Sequence, residues 1–177
     1  MPYLSNCSYK ALYLSPSYFR LTWLDLFTIV LALILIVLSV FDIKTFRLPN
    51  FLTISLTVAG LYLNYYFGGG AVAVVTSFFG CILGFSSLWA VAAIYRGVRG
   101  KPGLGLGDAK LFAAAGAWLG PLYLTPLMAA ASLTALGFVA IRAGIHGRQT
   151  TSHIVPFGPF IAGAFFALWC VKTYAEG

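Results

Sequence analysis

Acidic residues are almost missing from this chain. Of its 177 residues only four are carboxylates: Asp25, Asp42, Asp108 and Glu176. Charged residues of both signs make up 8% and hydrophobic residues 60%, whereas a soluble domain is about a quarter charged. That shortage excludes a water-soluble globule, because so much apolar surface needs lipid around it. Cysteine is scarce as well. Cys7, Cys81 and Cys170 stand far apart and form no CxxC pair, which excludes a zinc ribbon or a thiol redox motif. They read as small apolar filler. His146 and His153 share one loop with no Cys, Asp or Glu close by, so they read as solvated histidines, and neither a metal centre nor any other cofactor is expected. Serines are plentiful, yet none sits in a nucleophile elbow and no Ser/His/Asp order is present.

What the chain does have is apolar length. Six segments can be drawn: about Leu24 to Phe41, Phe51 to Phe67, Ala71 to Tyr95, a fourth beginning near Gly107, about Leu122 to Ile141, and about Ile154 to Val171. The uncharged run from Leu111 to Ile141 is too long for one ordinary span. Gly120-Pro121 divides it, since proline removes a helix donor and clashes with the preceding turn. The first segment begins late and lacks a small-residue cleavage site, so it reads as a retained span rather than a signal peptide. The expected fold class is all-α: a polytopic membrane protein with about six transmembrane helices. Residues 1–23 are expected to form a non-cytoplasmic tail and residues 24–177 a six-helix membrane domain.

The net charge is +7, from eleven Lys and Arg against four acids. Nucleic acid would be one partner for such a balance. Membrane orientation explains it better, because the bases cluster in loops between apolar runs. Lys44, Arg47, Arg96, Arg99, Lys101, Lys110, Arg142 and Arg148 follow segments one, three and five; Lys10, Arg20 and Lys172 lie on the other side. The positive-inside rule puts the first group in the cytoplasm and both termini outside. The expected partner is therefore a lipid bilayer, with no nucleic acid. The Lys10–Arg20 stretch reads as interfacial or disordered. Gly80 with Gly84, and Gly116 with Gly120, form GxxxG pairs that predict close helix contacts.

The acids fall at telling places. Asp42 ends the first segment and Asp108 opens the fourth, both on the cytoplasmic side, so antiparallel helices bring them to similar depth. Asp25, at the outer start of the first segment, reads as a plain helix-terminal acid. Asp108 fits that plain reading too. Asp42 does not, since a negative charge at a helix C-terminus meets the negative end of the dipole. Paired carboxylates share a proton, so one serves as base and the other as acid. Such a dyad can activate water against a peptide carbonyl without a metal.

Gly105-Leu106-Gly107-Asp108 matches the GxGD signature of intramembrane aspartyl proteases. The continuation GDAKLFAAAGAWLG resembles the second-aspartate helix of type IV prepilin peptidases. FDIKTFRLPN, residues 41–50, resembles their first-aspartate segment, and PFGPF, residues 156–160, resembles the start of their last helix. The resemblance covers about Leu24 to Tyr174. It implies a GxGD aspartyl protease fold, with Asp42 and Asp108 as the catalytic pair. The implied partner is a prepilin or pseudopilin whose basic leader is cut off just after a glycine, at the cytoplasmic membrane face. Lys110 matches the family's lysine. It reads either as an interfacial base or as a group that tunes or orients an aspartate.

The remaining site-shaping candidates are Gly105, Gly107, Pro49, Asn50, Pro156, Gly158 and Pro159. Gly103, Gly105 and Gly107 allow an extended substrate to approach, or simply make the loop flexible. Pro49 sets the start of the second helix, and Pro156 and Pro159 bend the start of the sixth. Many family members carry a zinc-cysteine insertion between their first two helices and also N-methylate the product. Only a short loop, Ile43 to Asn50, follows the first segment here, so peptidase activity without methyl transfer is expected. A preflagellin-type leader is the alternative substrate. A proton-coupled transporter would use the same two acids, but it predicts midplane acids and an internal repeat, and neither is seen. In a purely structural membrane subunit both aspartates would be replaceable by Asn.

Overall fold

The computed structural model describes residues 16–67, 71–99, 105–146 and 155–175. Six α-helices follow in chain order: α1 (Pro16–Thr45), α2 (Asn50–Phe67), α3 (Ala71–Arg99), α4 (Leu106–Leu119), α5 (Leu124–His146) and α6 (Gly158–Cys170). A 3₁₀ turn (Pro121–Tyr123) precedes α5, and a π-turn (Val171–Ala175) extends α6. No strand occurs among the described residues. The expected turn at Gly68–Gly70, the glycine Gly103, the bases Lys10, Lys101 and Arg148, and Cys7, His153 and Glu176 lie outside them.

Among the described residues three stretches are long and apolar enough to cross a membrane: Asp25–Thr45, Ala73–Val98 and Pro121–Ile145. Their outward faces carry large apolar side chains, such as Leu33, Ile36, Trp89, Ile94, Leu133 and Leu136. Polar groups there would be costly in lipid, so the apolar coat is the membrane-facing surface. The chain is an all-helical, multi-pass membrane protein.

Two details differ from the sequence expectations. α1 begins at Pro16 rather than Leu24, and its membrane-length apolar stretch starts at Asp25. α4 has 14 residues. At about 1.5 Å per residue it is about 21 Å long, short of the roughly 30 Å hydrocarbon core. A helix this short survives at membrane depth only inside protein, and from Leu111 to Leu119 every residue of α4 is buried. It packs on α3, α2 and α6, while α1 and α5 flank α6.

The α3–α4 contact is backbone against backbone. A Cβ on Gly80 would run into the Gly116 carbonyl oxygen, and one on Gly116 into that of Gly80. A Cβ on Gly84 would lie 2.7 Å from the Phe112 carbonyl oxygen. Small residues let helices meet where no hydrophobic force drives them together. Gly120 borders the same contact, its carbonyl carbon 3.1 Å from where a Cβ on Gly80 would stand. A Cβ of its own would meet nothing, and with φ 90° it ends α4 by donating its N–H to Gly116 O.

The remaining end carbonyls of α4 need partners at depth. Asn64 on α2 donates to Ala117 O (2.9 Å) and Trp118 O (3.2 Å). Lys172 on the π-turn donates to Trp118 O and Leu119 O, both at 3.0 Å. Its cation also opposes the negative end of the α4 dipole. Trp118 donates from Nε1 to Leu56 O (2.7 Å) and meets Trp169 edge-on, with ring centroids 5.0 Å apart. The deep end of α4 is thereby fixed by three neighbouring elements.

Candidate active site

At the other end of α4 the two expected aspartates come together. Asp42 lies in the last turns of α1 and is 5% exposed; Asp108 lies in the first turn of α4 and is 8% exposed. Both carboxylates are buried at the same end of the bundle, Asp42 against the start of α6 and Asp108 in the first turn of α4. The backbone of Gly105 sits against the Asp108 carboxylate: a Cβ there would stand 3.5 Å from Asp108 Oδ2.

The placement of Asp42 against its own helix dipole finds its compensation in α6. Gly158 N–H donates to Asp42 Oδ2 at 3.0 Å. Gly158 is the first residue of α6, whose N-terminal N–H groups carry partial positive charge. A Cβ on Gly158 would lie 2.6 Å from Asp42 Oδ2 and 2.9 Å from its Cγ. Glycine is thus required for the carboxylate to seat on this helix end. Pro159 occupies the opening turn of α6, where a missing N–H costs nothing, and Pro156 lies just before the capping residue Phe157.

Pro49 precedes α2, and its carbonyl accepts the Thr53 N–H at 3.3 Å. Its neighbour Leu48 is buried and wedged against the start of α4: a Cβ on Gly107 would meet Leu48 side-chain atoms at 3.2–3.3 Å. The loop after α1 therefore braces the helix that carries Asp108. Lys110 lies on α4 two residues after Asp108. It donates to Asn50 Oδ1 at 2.6 Å, tying α4 to the start of α2, and forms no ion pair with either aspartate among the described residues.

Beside the dyad is an open cleft of about 620 Å³, lined by residues 45–50 with Phe41, Gly105, Leu106, Gly107 and Lys110. Its apolar wall was missed by sequence reasoning, although Phe46 and Arg47 lie inside the first-aspartate segment quoted above. No group of three metal-ligating side chains occurs among the described residues.

A helical membrane protein with two buried carboxylates at one end and a peptide-sized cleft beside them has the layout of a membrane aspartyl peptidase. Comparison with known proteins gives the particular family: residues 29–141 match the type IV leader peptidase family, and the chain belongs to it. It is 38% identical over 141 residues to a prepilin leader peptidase/N-methyltransferase of Pectobacterium carotovorum subsp. carotovorum, covering 79% of this chain and 50% of that one. It is 37% identical over 138 residues to a protein of the same name from Neisseria gonorrhoeae, covering 78% and 46%. The protein of that name from Pseudomonas aeruginosa is 34% identical over 166 residues, covering 90% and 56%. The chain thus spans about half the length of the curated relatives it matches. No solved structure matches it.

Proposed function

We propose that the protein is an aspartyl endopeptidase that removes the basic leader from type IV prepilins or pseudopilins, with Asp42 and Asp108 as its catalytic pair. The observation that carries this reading is the burial of two carboxylates, from the last turns of α1 and the first turn of α4, at the same end of the bundle. One carboxylate, ionised, takes a proton from water, and the water oxygen bonds to the scissile carbonyl carbon. The other, protonated, gives its proton to the carbonyl oxygen. The tetrahedral intermediate then expels the amine, which leaves with the proton held by the base, while one hydroxyl of the intermediate returns its proton to the other carboxylate as the new carboxyl group forms. Pairing the acids at short range keeps one proton between them.

Family membership and the names of the relatives support the substrate class. The positive-inside distribution supports a cytoplasmic active site in the inner membrane, since Lys44, Arg96, Lys110 and Arg142 lie towards the dyad end of their helices and Arg47 lies in the loop after α1. The loop between α1 and α2 spans only residues 46–49 and has no cysteine, which supports cleavage without N-methylation. Site-shaping roles fall to Gly105, Gly107, Pro49, Asn50, Lys110, Pro156, Gly158 and Pro159.

The test is cleavage of a co-expressed prepilin by wild type, Asp42→Asn and Asp108→Asn. Trimming by wild type and by neither variant, with all three in the membrane fraction, supports the proposal. Trimming by either variant overturns the dyad.

A further inference from the structure

α6 and the π-turn that extends it reach both helices that carry the aspartates, at opposite ends of the bundle. At the dyad end Gly158 N–H donates to Asp42 Oδ2. α1 is closed there by its own cap: Phe46, with φ 51°, donates its N–H to Asp42 O at 2.9 Å, in the left-handed conformation usually taken by glycine. At the far end Trp169 of α6 donates from Nε1 to Thr28 Oγ1 on α1 at 3.0 Å, and its ring stands edge-on to Trp118 of α4. Thr28 and Trp169 are both buried. Lys172, just past α6, donates to Trp118 O and Leu119 O, with its ammonium 5.8 Å from the centre of the Tyr123 ring. It is carried to these carbonyls by the π-turn, a rare departure from α-helix that is frequent at functional sites. A charged group held half-buried in a membrane protein is a candidate for function, and its partners here are the end carbonyls of α4.

We propose that Lys172 is a positioning residue of the dyad: by fixing the far end of α4 to the extension of α6, it sets where Asp108 stands relative to Asp42. This rests on the peptidase reading above. Asp42 is seated on the start of α6 through Gly158. Lys172 refers α4 to the same element, so one helix locates both carboxylates. α4 is short and buried, and it passes a displacement from one end to the other as a rod does. Asp108 and Leu119 stand eleven residues apart on it, about 16 Å along the axis. A tilt of about 4° about one end moves the other by about 1 Å over that length. Misplacing a reacting group by about 1 Å can slow a reaction about 100-fold. Asn64 and the Trp118 ring nitrogen bind the far end of α4 to α2 instead. Replacing Lys172 therefore leaves α4 in the bundle but without its hydrogen bonds to the extension of α6.

The experiment compares Lys172→Met, which keeps an unbranched chain and removes the donor, with Lys172→Arg, which keeps the charge and the donors. Steady-state cleavage of a prepilin is measured well below every thermal midpoint and expressed per mole of folded enzyme. The expected result for Lys172→Met is a kcat at least about tenfold lower, with KM within about twofold of wild type because no substrate contact is touched. Lys172→Arg should recover most of the rate. A bond that serves stability alone lowers the midpoint and leaves the kcat of the folded enzyme at its wild-type value. That result overturns the proposal, as does a loss carried by KM or an equal loss in both variants. If Lys172→Met gives no folded protein, Lys172→Gln, with a shorter and neutral donor, is judged by the same criteria. Absence of cleavage by wild type overturns the peptidase reading itself and the positioning role with it.

Discussion

Gly158→Ala is a one-carbon change with a severe expected effect. The new methyl carbon would stand 2.6 Å from Asp42 Oδ2 and 2.9 Å from Cγ, so the carboxylate must move away from the start of α6. Moving it breaks the 3.0 Å bond from Gly158 N–H. A hydrogen bond to a charged group contributes about 1.5–3 kcal/mol. If that stabilisation acts on the reactive arrangement of the dyad, cleavage slows by roughly 10- to 150-fold. The assay is trimming of a prepilin in membranes of matched enzyme content, with thermal unfolding in detergent as a check on folding. A Gly158→Ala enzyme that cuts within about threefold of the wild-type rate would refute the idea that α6 seats Asp42.

Other consequences follow from the same packing. Asn64→Leu leaves the Ala117 carbonyl without its donor at depth and Trp118 O with Lys172 alone, and should cost about 1–3 kcal/mol, read as a lower thermal midpoint with part of the loss recovered in Asn64→Gln. Gly116→Val drives a branched side chain into the Gly80 carbonyl, so α3 and α4 must part; overpacking of this sort costs about 1–3 kcal/mol or more, and reduced yield of folded protein in detergent is the readout. Lys110→Met removes the tie to Asn50 but leaves both aspartates in place, and cleavage should fall by less than about tenfold.

The parts of the site that the sequence made legible are those carried by local pattern. A chain with four acids makes Asp42 and Asp108 conspicuous, and Gly120-Pro121 splits the long apolar run where α4 ends and the next turn begins. Three long-range contacts were out of reach. PFGPF marked the start of α6, but only the folded chain shows Gly158 N–H meeting Asp42. Lys172 looked like an outer-side charge, and its bonds to the end of α4 depend on how α6 crosses α4. Asn64 drew no notice, because a lone amide in an apolar helix has no pattern to give it away. The cap at Phe46 was hidden for the opposite reason: sequence rules expect glycine there, so an aromatic residue carries no turn signal. Gly120 matched a packing motif by spacing and borders the Gly80 contact, but its second role as the end of α4 depends on a positive φ seen only in the folded chain.

The central claim is that Asp42 and Asp108 act as one catalytic unit. Its most direct test is the cleavage rate of Asp42→Asn, Asp108→Asn and the double variant against the same prepilin, each confirmed as folded and membrane-inserted. Residues that work as a unit are strongly non-additive, so each single change should abolish trimming and the double should be no worse than either. Measurable trimming by one single variant, or a double whose loss is the product of two modest single losses, would contradict the shared mechanism.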